Sequence, residues 1–379
     1  MFTRLLDYLY GYERLRHRGD RLFLLGEFER ARTEYGRARA VLREGDHRAT
    51  TIEALLRECD ALAGLRASSG MVHSVVARDV LDVSVEDVAD NREEGGFHPG
   101  IDDLFELAIA DKPQGRIDAY RVLGDNFKAG YVALVHGNAE RAVSFLAASK
   151  EASSSFVVNL ELGRAWSLAG RMDDAREALK LAERSAPSDV EVSMLLSAVN
   201  IELGRFDEAH ERLEVLARDE SDPDITFLLG RSLAGAKKND AALEKFRETV
   251  KLEPRFHEAF FEAADVLRGR GDSEAAFELL NRACHLAPEE IRYNQELVEL
   301  VLSDGHDWEA GLAACDRLMV NDEDNAWQYL KWIAELYIRR GFIREARDPL
   351  EKALNLVPCD RVMERMEIER CLASLTPDP

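Results

Sequence analysis

The spacing of apolar residues in the middle of the chain predicts a pair of amphipathic helices. In residues 156–189, apolar side chains recur with helical spacing on both sides of Gly170. A proline closes the stretch, where a fixed φ and a missing amide hydrogen end a helix. One such hairpin cannot bury its apolar faces alone, so we expect it to stack on copies of itself. The positions are Leu160, Leu162 and Trp166 before the glycine, Ala175, Leu179 and Ala182 after it, and Pro187 at the end.

The same hairpin recurs along the chain with a nearly constant period. A glycine followed five positions later by an alanine marks each copy, and from Ala142 onward the alanines advance by 33, 34, 33, 34, 34 and 36 residues. One copy has Lys237 in the place of the glycine, before Ala242. The other pairs are Gly26/Ala31, Gly137/Ala142, Gly170/Ala175, Gly204/Ala209, Gly271/Ala276, Gly305/Ala310 and Gly341/Ala346.

Each of these marker residues has a physical role in a helical hairpin. Glycine permits the positive φ that ends the first helix, and alanine lets the two helices cross closely because its side chain is only a methyl group. Prolines at equivalent places stop the second helices before the next turn. These prolines are Pro187, Pro254, Pro288 and Pro358.

Together, these positions resemble the tetratricopeptide repeat (TPR). The resemblance implies an all-α fold in which helical hairpins stack into a right-handed superhelical solenoid. It also implies that the first helices line a concave groove that receives a peptide or another protein's surface. The copy at 291–326 departs most from the pattern, with Ala314 in a large-residue place and Asp322 where proline is expected. The signature residues of the copy at 156–189 are Leu162, Gly163, Trp166, Ala175, Leu179, Ala182 and Pro187.

The repeat pattern divides the chain into four parts. We expect one TPR-like hairpin in residues 1–45, seven tandem TPR-like repeats in residues 123–360, and a capping helix and tail in residues 361–379. Residues 46–122 form a divergent helical segment with a loop or insert near 70–100, where glycines and acidic residues interrupt the helical spacing. An embedded small domain is the alternative for that segment. The apolar residues expected to cover the last hairpin are Val362, Met363, Met366 and Leu372.

The charge of the chain excludes two kinds of partner. The formal net charge is -22, whereas nucleic acids and anionic membranes bind surfaces with clustered positive charge. We therefore expect no nucleic-acid binding. No stretch approaches the roughly 20 apolar residues of a membrane span, so we also expect no membrane insertion. An acidic repeat protein is most simply a soluble one whose copies repel each other, and a preference for basic partners is the sharper alternative.

The cysteines and the N-terminus indicate a cytoplasmic protein. Five cysteines are scattered without a close pair, which disfavours a disulfide framework or a zinc site. Cys284 and Cys315 fall in second-helix patterns, where a free cysteine acts as a small apolar residue. Arg4 and Asp7 interrupt the first apolar run, which is atypical of a signal peptide.

The sequence contains no catalytic or cofactor signature, so we expect no enzyme activity, metal or cofactor. His257-Glu258 begins like a zinc-protease motif, but Phe261 stands where the second ligand is required. His73 and His98 lie beside acids in the insert, where a metal or acid–base site is an alternative to a plain loop.

The TPR resemblance assigns candidate residues to the groove. Arg164 and Arg231 share one repeat position and can bind a partner's carboxylates. Alternatively, they pair with Glu161 or Asp224 of the same chain. The Lys/Asn clamp of chaperone-binding TPR domains is not reproduced. The candidates are Phe127, Tyr131, Arg164, Met194, Phe227, Arg231, Phe261, Gln295 and Lys331.

These observations favour a non-enzymatic scaffold or adaptor that binds a protein or peptide in the groove. The alternative is a regulatory or assembly subunit of an enzyme complex, with its chemistry in residues 70–122. Self-assembly through the repeat ends is a third hypothesis, and the pattern assigns no oligomeric state.

Overall fold

A computed structural model describes residues 16, 19, 28–41, 52–57, 59–60, 101–110, 112, 114–149, 155–218, 222–305 and 307–375. Within these residues the fold is all-α, as the repeat pattern predicts, and contains no strand. The insert near 70–100, with His73 and His98, lies outside the described residues, as does most of the 1–45 hairpin.

The helices form two compact units, Met1–Leu216 and Ala217–Pro379. In unit 1 the helices are α1 (Phe28–Val41), α2 (Ile101–Ile109), α3 (Gln114–Arg121), α4 (Asp125–Val135), α5 (Ala139–Ala147), α6 (Phe156–Leu168), α7 (Met172–Ser185), α8 (Val190–Glu202) and α9 (Phe206–Leu216). In unit 2 they are α10 (Pro223–Gly235), α11 (Asn239–Leu252), α12 (His257–Gly269), α13 (Ser273–Leu286), α14 (Ile291–Asp304), α15 (Trp308–Asn321), α16 (Ala326–Arg339), α17 (Arg347–Leu356) and α18 (Val362–Ser374).

Successive helices pack as antiparallel pairs. The pairs are α4/α5, α6/α7 and α8/α9 in unit 1, and α10/α11, α12/α13, α14/α15 and α16/α17 in unit 2. Within each unit, the second helix of one pair also packs on the first helix of the next pair. Each pair thus buries the apolar side of its neighbour, which is how a repeat protein forms a core without a single centre.

The turn inside each pair is closed by backbone hydrogen bonds. Gly170 has φ of +75° and donates to the Ser167 carbonyl (3.1 Å), while the amide of Arg171 donates to the Trp166 carbonyl (2.9 Å). This pair of bonds is the Schellman motif, which uses the left-handed conformation that glycine adopts without strain. The same conformation is present at Gly137, Gly204, Gly271, Gly305 and Gly341, and Lys237 adopts it with φ of +60°. The predicted positive φ is therefore confirmed.

A second glycine position lets the two helices of a pair approach closely. A Cβ atom on Gly163 would lie 2.6 Å from Cγ of Leu179, and one on Gly230 would lie 2.6 Å from Cε1 of Phe246. Gly19 holds the equivalent place twelve residues before Ala31, and its Cβ would lie 2.5 Å from the Tyr35 ring. Gly19 therefore approaches Tyr35 as closely as Gly163 approaches Leu179.

The last helix, α18, covers the end of unit 2 with a different side from the predicted one. Val362, Met363 and Met366 are 56%, 75% and 49% exposed, so the prediction that they cover the last hairpin is wrong. Ile368 is fully buried, and Leu372 packs beside it. Ile368 and Leu372 are four residues apart, so they lie on the side of α18 that packs on the hairpin.

None of the described helices is both long enough and apolar enough to cross a membrane.

Candidate binding faces of the repeats

Two positions of every first helix define the candidate site. They lie fifteen and eleven residues before the recurrent alanine, one helical turn apart, and therefore on one side of the helix. We call this side the first-helix face, and it contains all the predicted groove residues. The earlier position holds Phe127, Leu160, Met194, Phe227, Phe261, Gln295 and Lys331. The later position holds Tyr131, Arg164, Ala198, Arg231, Asp265, Glu299 and Glu335.

Most of the predicted groove residues are buried. Met194, Gln295 and Lys331 are half-buried and remain partly accessible. The other six have no more than 6% of their surface exposed, so a partner could not contact them without repacking the helices. These six are Phe127, Tyr131, Arg164, Phe227, Arg231 and Phe261.

The buried phenylalanines of unit 2 pack between successive repeats. The Phe227 ring lies 4.9 Å from the ring of Phe256, which immediately precedes the next first helix. The Phe261 ring stacks on Tyr293 of the following first helix at 4.4 Å. Aromatic pairs in these geometries stabilise a packed interface beyond the area that they bury. These side chains therefore join neighbouring hairpins.

In unit 1, the first-helix face is covered by helix α3. The Tyr120 ring lies 5.3 Å from Phe127 and 5.1 Å from Tyr131, with its plane nearly perpendicular to both. Its hydroxyl donates a hydrogen bond to the fully buried Glu161 carboxylate on α6. Burial, followed by the nearby Glu161 charge, raises the pKa of Tyr120 well above its usual value. The hydroxyl is thus a donor throughout the physiological pH range.

A charged network continues from Tyr120 across the same face. Arg164 donates to both oxygens of Glu161 at 3.0 Å and also to Glu191 on α8. Arg116 of α3 donates to Asp189 (3.0 Å) and to Glu191 (3.2 Å). Arg164 is therefore paired with Glu161 in its own chain, which is the alternative that sequence analysis left open.

Unit 2 presents a different face at the same positions. Arg231 lies 3.5 Å from Glu262 on the next first helix, α12. In the next three repeats the later position is acidic, with Asp265 and Glu299 exposed and Glu335 about 41% exposed. Asp265 pairs with Arg268, and Glu335 pairs with Arg339, both at the surface.

The two half-buried candidates in unit 2 make polar contacts within that unit. Gln295 donates to the hydroxyl of Tyr329 at 3.2 Å, and Lys331 lies 2.7 Å from Glu367 on α18. The Tyr329 hydroxyl donates to Asp322, the residue that replaces proline in the divergent repeat. Burial and this hydrogen bond raise the pKa of Tyr329 to about 12. Asp322 therefore anchors the next first helix.

The remaining reactive side chains considered from the sequence, a histidine and two cysteines, are packed inside the repeats. His257 lies 3.2 Å from the Tyr293 hydroxyl, and burial lowers its pKa to about 4. Cys284 and Cys315 are fully buried apolar residues, as predicted, and burial raises both thiol pKa values to about 12. No group of three or more His, Cys, Asp or Glu side chains could hold a metal ion within the described residues.

Sequence analysis did not identify α3 as part of this site. Ile117 and Tyr120 have the spacing of a short buried helix side, but α3 lies outside the 34-residue period and the pattern offered no partner for it. Its contacts on α6 and α8 are 41 to 75 residues away in sequence. Only the fold brings them together.

The tetratricopeptide repeat family profile matches residues 127–190, 200–251 and 227–291. These matches include the turns at Gly137, Gly170, Gly204, Lys237 and Gly271, and they end where the pairs α14/α15 and α16/α17 begin. The chain therefore contains tetratricopeptide repeats within residues 127–291.

Several solved structures are similar to the chain. A tetratricopeptide repeat protein from Parabacteroides merdae is 14% identical over 68% of this chain and 99% of its own, with a TM-score of 0.43. MamA is 19% identical over 44% of this chain and 96% of its own, with a TM-score of 0.36. MamA from Desulfovibrio magneticus is 22% identical over 44% of this chain and 93% of its own, with a TM-score of 0.36. No curated protein matches the sequence.

Proposed function

We propose that the protein is a non-enzymatic scaffold that binds a basic segment of a partner protein on the first-helix face of unit 2. The observation that supports the proposal is the row of acidic side chains at one repeat position. Asp265, Glu299 and Glu335 recur there in three successive repeats, and each is at least partly exposed.

The surface pairs on this face do not oppose such a partner strongly. The Asp265–Arg268 and Glu335–Arg339 pairs are about half exposed, and pairs of this kind contribute about 0–1 kcal/mol. An incoming lysine or arginine can therefore replace the intramolecular partner at small cost. The net charge of -22 adds a long-range attraction for basic segments.

The test compares a charge-reversal variant with a matched control. Asp265→Lys/Glu299→Lys changes two acids of the face, whereas Glu278→Lys/Asp316→Lys changes two exposed acids on the second helices α13 and α15. Both variants alter the net charge equally. Each protein is immobilised and incubated with lysate of the native cell, and retained proteins are identified by mass spectrometry.

We expect the wild type and the control to retain one set of proteins that the face variant loses. Added salt should release these proteins, because it screens the charge pairs that hold them. A synthetic peptide from a basic segment of a retained protein should then bind the wild type and the control, but not the face variant. Equal retention by all three proteins would contradict the proposal.

A further inference from the structure

Helix α3 packs on the repeats of unit 1 through one side only, as a bound helix packs on a receptor. Its Ile117 and Tyr120 are buried, whereas Gln114, Gly115 and Asp118 on the other sides are exposed. Arg116 and Tyr120 lie four residues apart and hence on one side of the helix. Through these two side chains, α3 reaches three first helices of the repeats, α4, α6 and α8.

The charges on the face require a cation from α3. Glu161, Asp189 and Glu191 contribute three carboxylates, while Arg164 contributes one guanidinium. Without Arg116, this group would carry a net charge of -2, with Glu161 buried and with Asp189 and Glu191 partly exposed. A buried charge without a partner is strongly unfavourable. The face is therefore complementary to one additional guanidinium, whose flat fork suits two carboxylates.

The aromatic part of the face is equally specific. Edge-on contacts with Phe127 and Tyr131 surround the Tyr120 ring, and Glu161 accepts a hydrogen bond from its hydroxyl. The Arg116 guanidinium in turn lies 4.8 Å from the centre of the Phe156 ring. The Tyr120 ring thus occupies a buried pocket beside a carboxylate. Tyrosine and arginine side chains in such pockets are typical of binding hot spots.

The other attachments of α3 are weak. Arg121 pairs with Glu106 of α2, and both side chains are about half exposed. A pair of this kind contributes little to stability. Helix α3 is therefore fixed chiefly by Arg116, Ile117 and Tyr120, and a competing helix with the same side chains could replace it.

We infer that the first-helix face of unit 1 is a binding site for a partner helix that carries an arginine and, four residues later, a tyrosine, and that α3 occupies this site in cis. A partner with this pair displaces α3. The inference does not depend on the function proposed for unit 2, because it rests on contacts within unit 1.

The test uses a fluorescein-labelled peptide with the sequence of residues 112–123 and measures its anisotropy with the full-length chain. Arg116→Gln/Tyr120→Ala removes the cis contacts. We expect this variant to bind the peptide at least about tenfold more tightly than the wild type, because the cis occupant lowers the fraction of competent protein. A peptide with the same two changes should not bind.

The matched control is the Gln114→Ala/Asp118→Ala chain, which changes two exposed positions of α3. It should bind the peptide as weakly as the wild type. Equal affinities of the double variant and the wild type, with helix content retained in circular dichroism, would overturn the inference.

A second measurement covers the case in which the double variant loses helix content. In the wild-type chain with saturating peptide, hydrogen exchange at α3 should accelerate while α4 and α6 stay protected, since only α3 is displaced. Unchanged exchange at α3 would refute displacement. Variants of Asp265 and Glu299 should leave both results unchanged, which separates this test from the one for unit 2.

Discussion

In unit 1, the later position of the first-helix face holds the buried Tyr131 and Arg164 beside helix α3, whereas in the last three repeats of unit 2 the same position holds Asp265, Glu299 and Glu335 at the surface. The backbone of the repeat is the same in both places. What differs is which side chains and helices pack on the face. A repeat position is therefore neither a core position nor a binding position until its neighbours are known.

This difference determines how much each ion pair contributes to the stability of its unit. Around Arg164, charges are withdrawn from water, so each requires its partner. Around Asp265 and Glu335, water screens the pairs and they contribute little.

The largest effect is expected at Arg164. Arg164→Met leaves the fully buried Glu161 without its bidentate partner, and breaking a buried pair in this way costs about 3–5 kcal/mol. Arg247→Met in unit 2 should cost at most about 1 kcal/mol, because its pair with Glu244 is exposed to water. Urea unfolding followed by circular dichroism measures both. Equal destabilisation would show that the network under α3 has no special role.

The next effect concerns the close helix crossing. Gly163→Val would place Cβ 2.6 Å from Cγ of Leu179, in a space that the two helices of the pair already fill. Overpacking of this kind costs about 1–3 kcal/mol. Gly36→Val is the control, because nothing lies within 4 Å of the corresponding Cβ in α1. Thermal unfolding should show a lower Tm for Gly163→Val alone. A similar loss in the control would assign the effect to valine itself.

The smallest of the three effects is a pH dependence of the free energy of unfolding, which arises from His257 in unit 2. His257 has a folded pKa of about 4, below the unfolded value of 6.5, so the unfolded chain takes up the proton first as the pH falls. Its contribution to stability is complete above about pH 7 and declines toward pH 4, with about 2 kcal/mol lost between pH 7 and pH 5. Urea unfolding of wild type and His257→Gln measures this difference.

The wild type must be compared with His257→Gln because carboxylates also titrate between pH 7 and pH 5. His257→Gln should have the flatter profile between pH 7 and pH 5. Parallel profiles would mean that the ring is protonated in the folded protein. Helix α6 belongs to unit 1 and is held by the network of carboxylates and guanidinium groups. Its hydrogen exchange should therefore not change in His257→Gln.

The repeat itself was predictable because its determinants are local. Positive φ at Gly170 and its equivalents, including Lys237, follows from the five-residue spacing to the alanine. Pro187 and Pro358 each stand two residues beyond the last residue of a second helix, as a helix stop should. Such features require only the chain within one hairpin.

The candidate site was less predictable because its environment is not local. Repeat phase correctly placed Arg164 and Phe261 on one side of their helices, but it gave no information on what lies against that side. Arg164 pairs with Glu161 and Glu191, which also accept hydrogen bonds from α3. Tyr293 of the next repeat stacks on Phe261. In α18, the apolar residues predicted to cover the last hairpin are exposed except for Leu372, because contacts with the hairpin decide which side is buried.

The sequence alone determined the helical hairpin, its turn and its repetition, since glycine, alanine and proline act through backbone conformation and size over a few residues. The tertiary structure decided which sides of those hairpins became interior, because burial depends on contacts between residues far apart in the chain. Arg116 and Glu191 are 75 positions apart. Their pairing exists only because the helices between them fold back to bring the two side chains together.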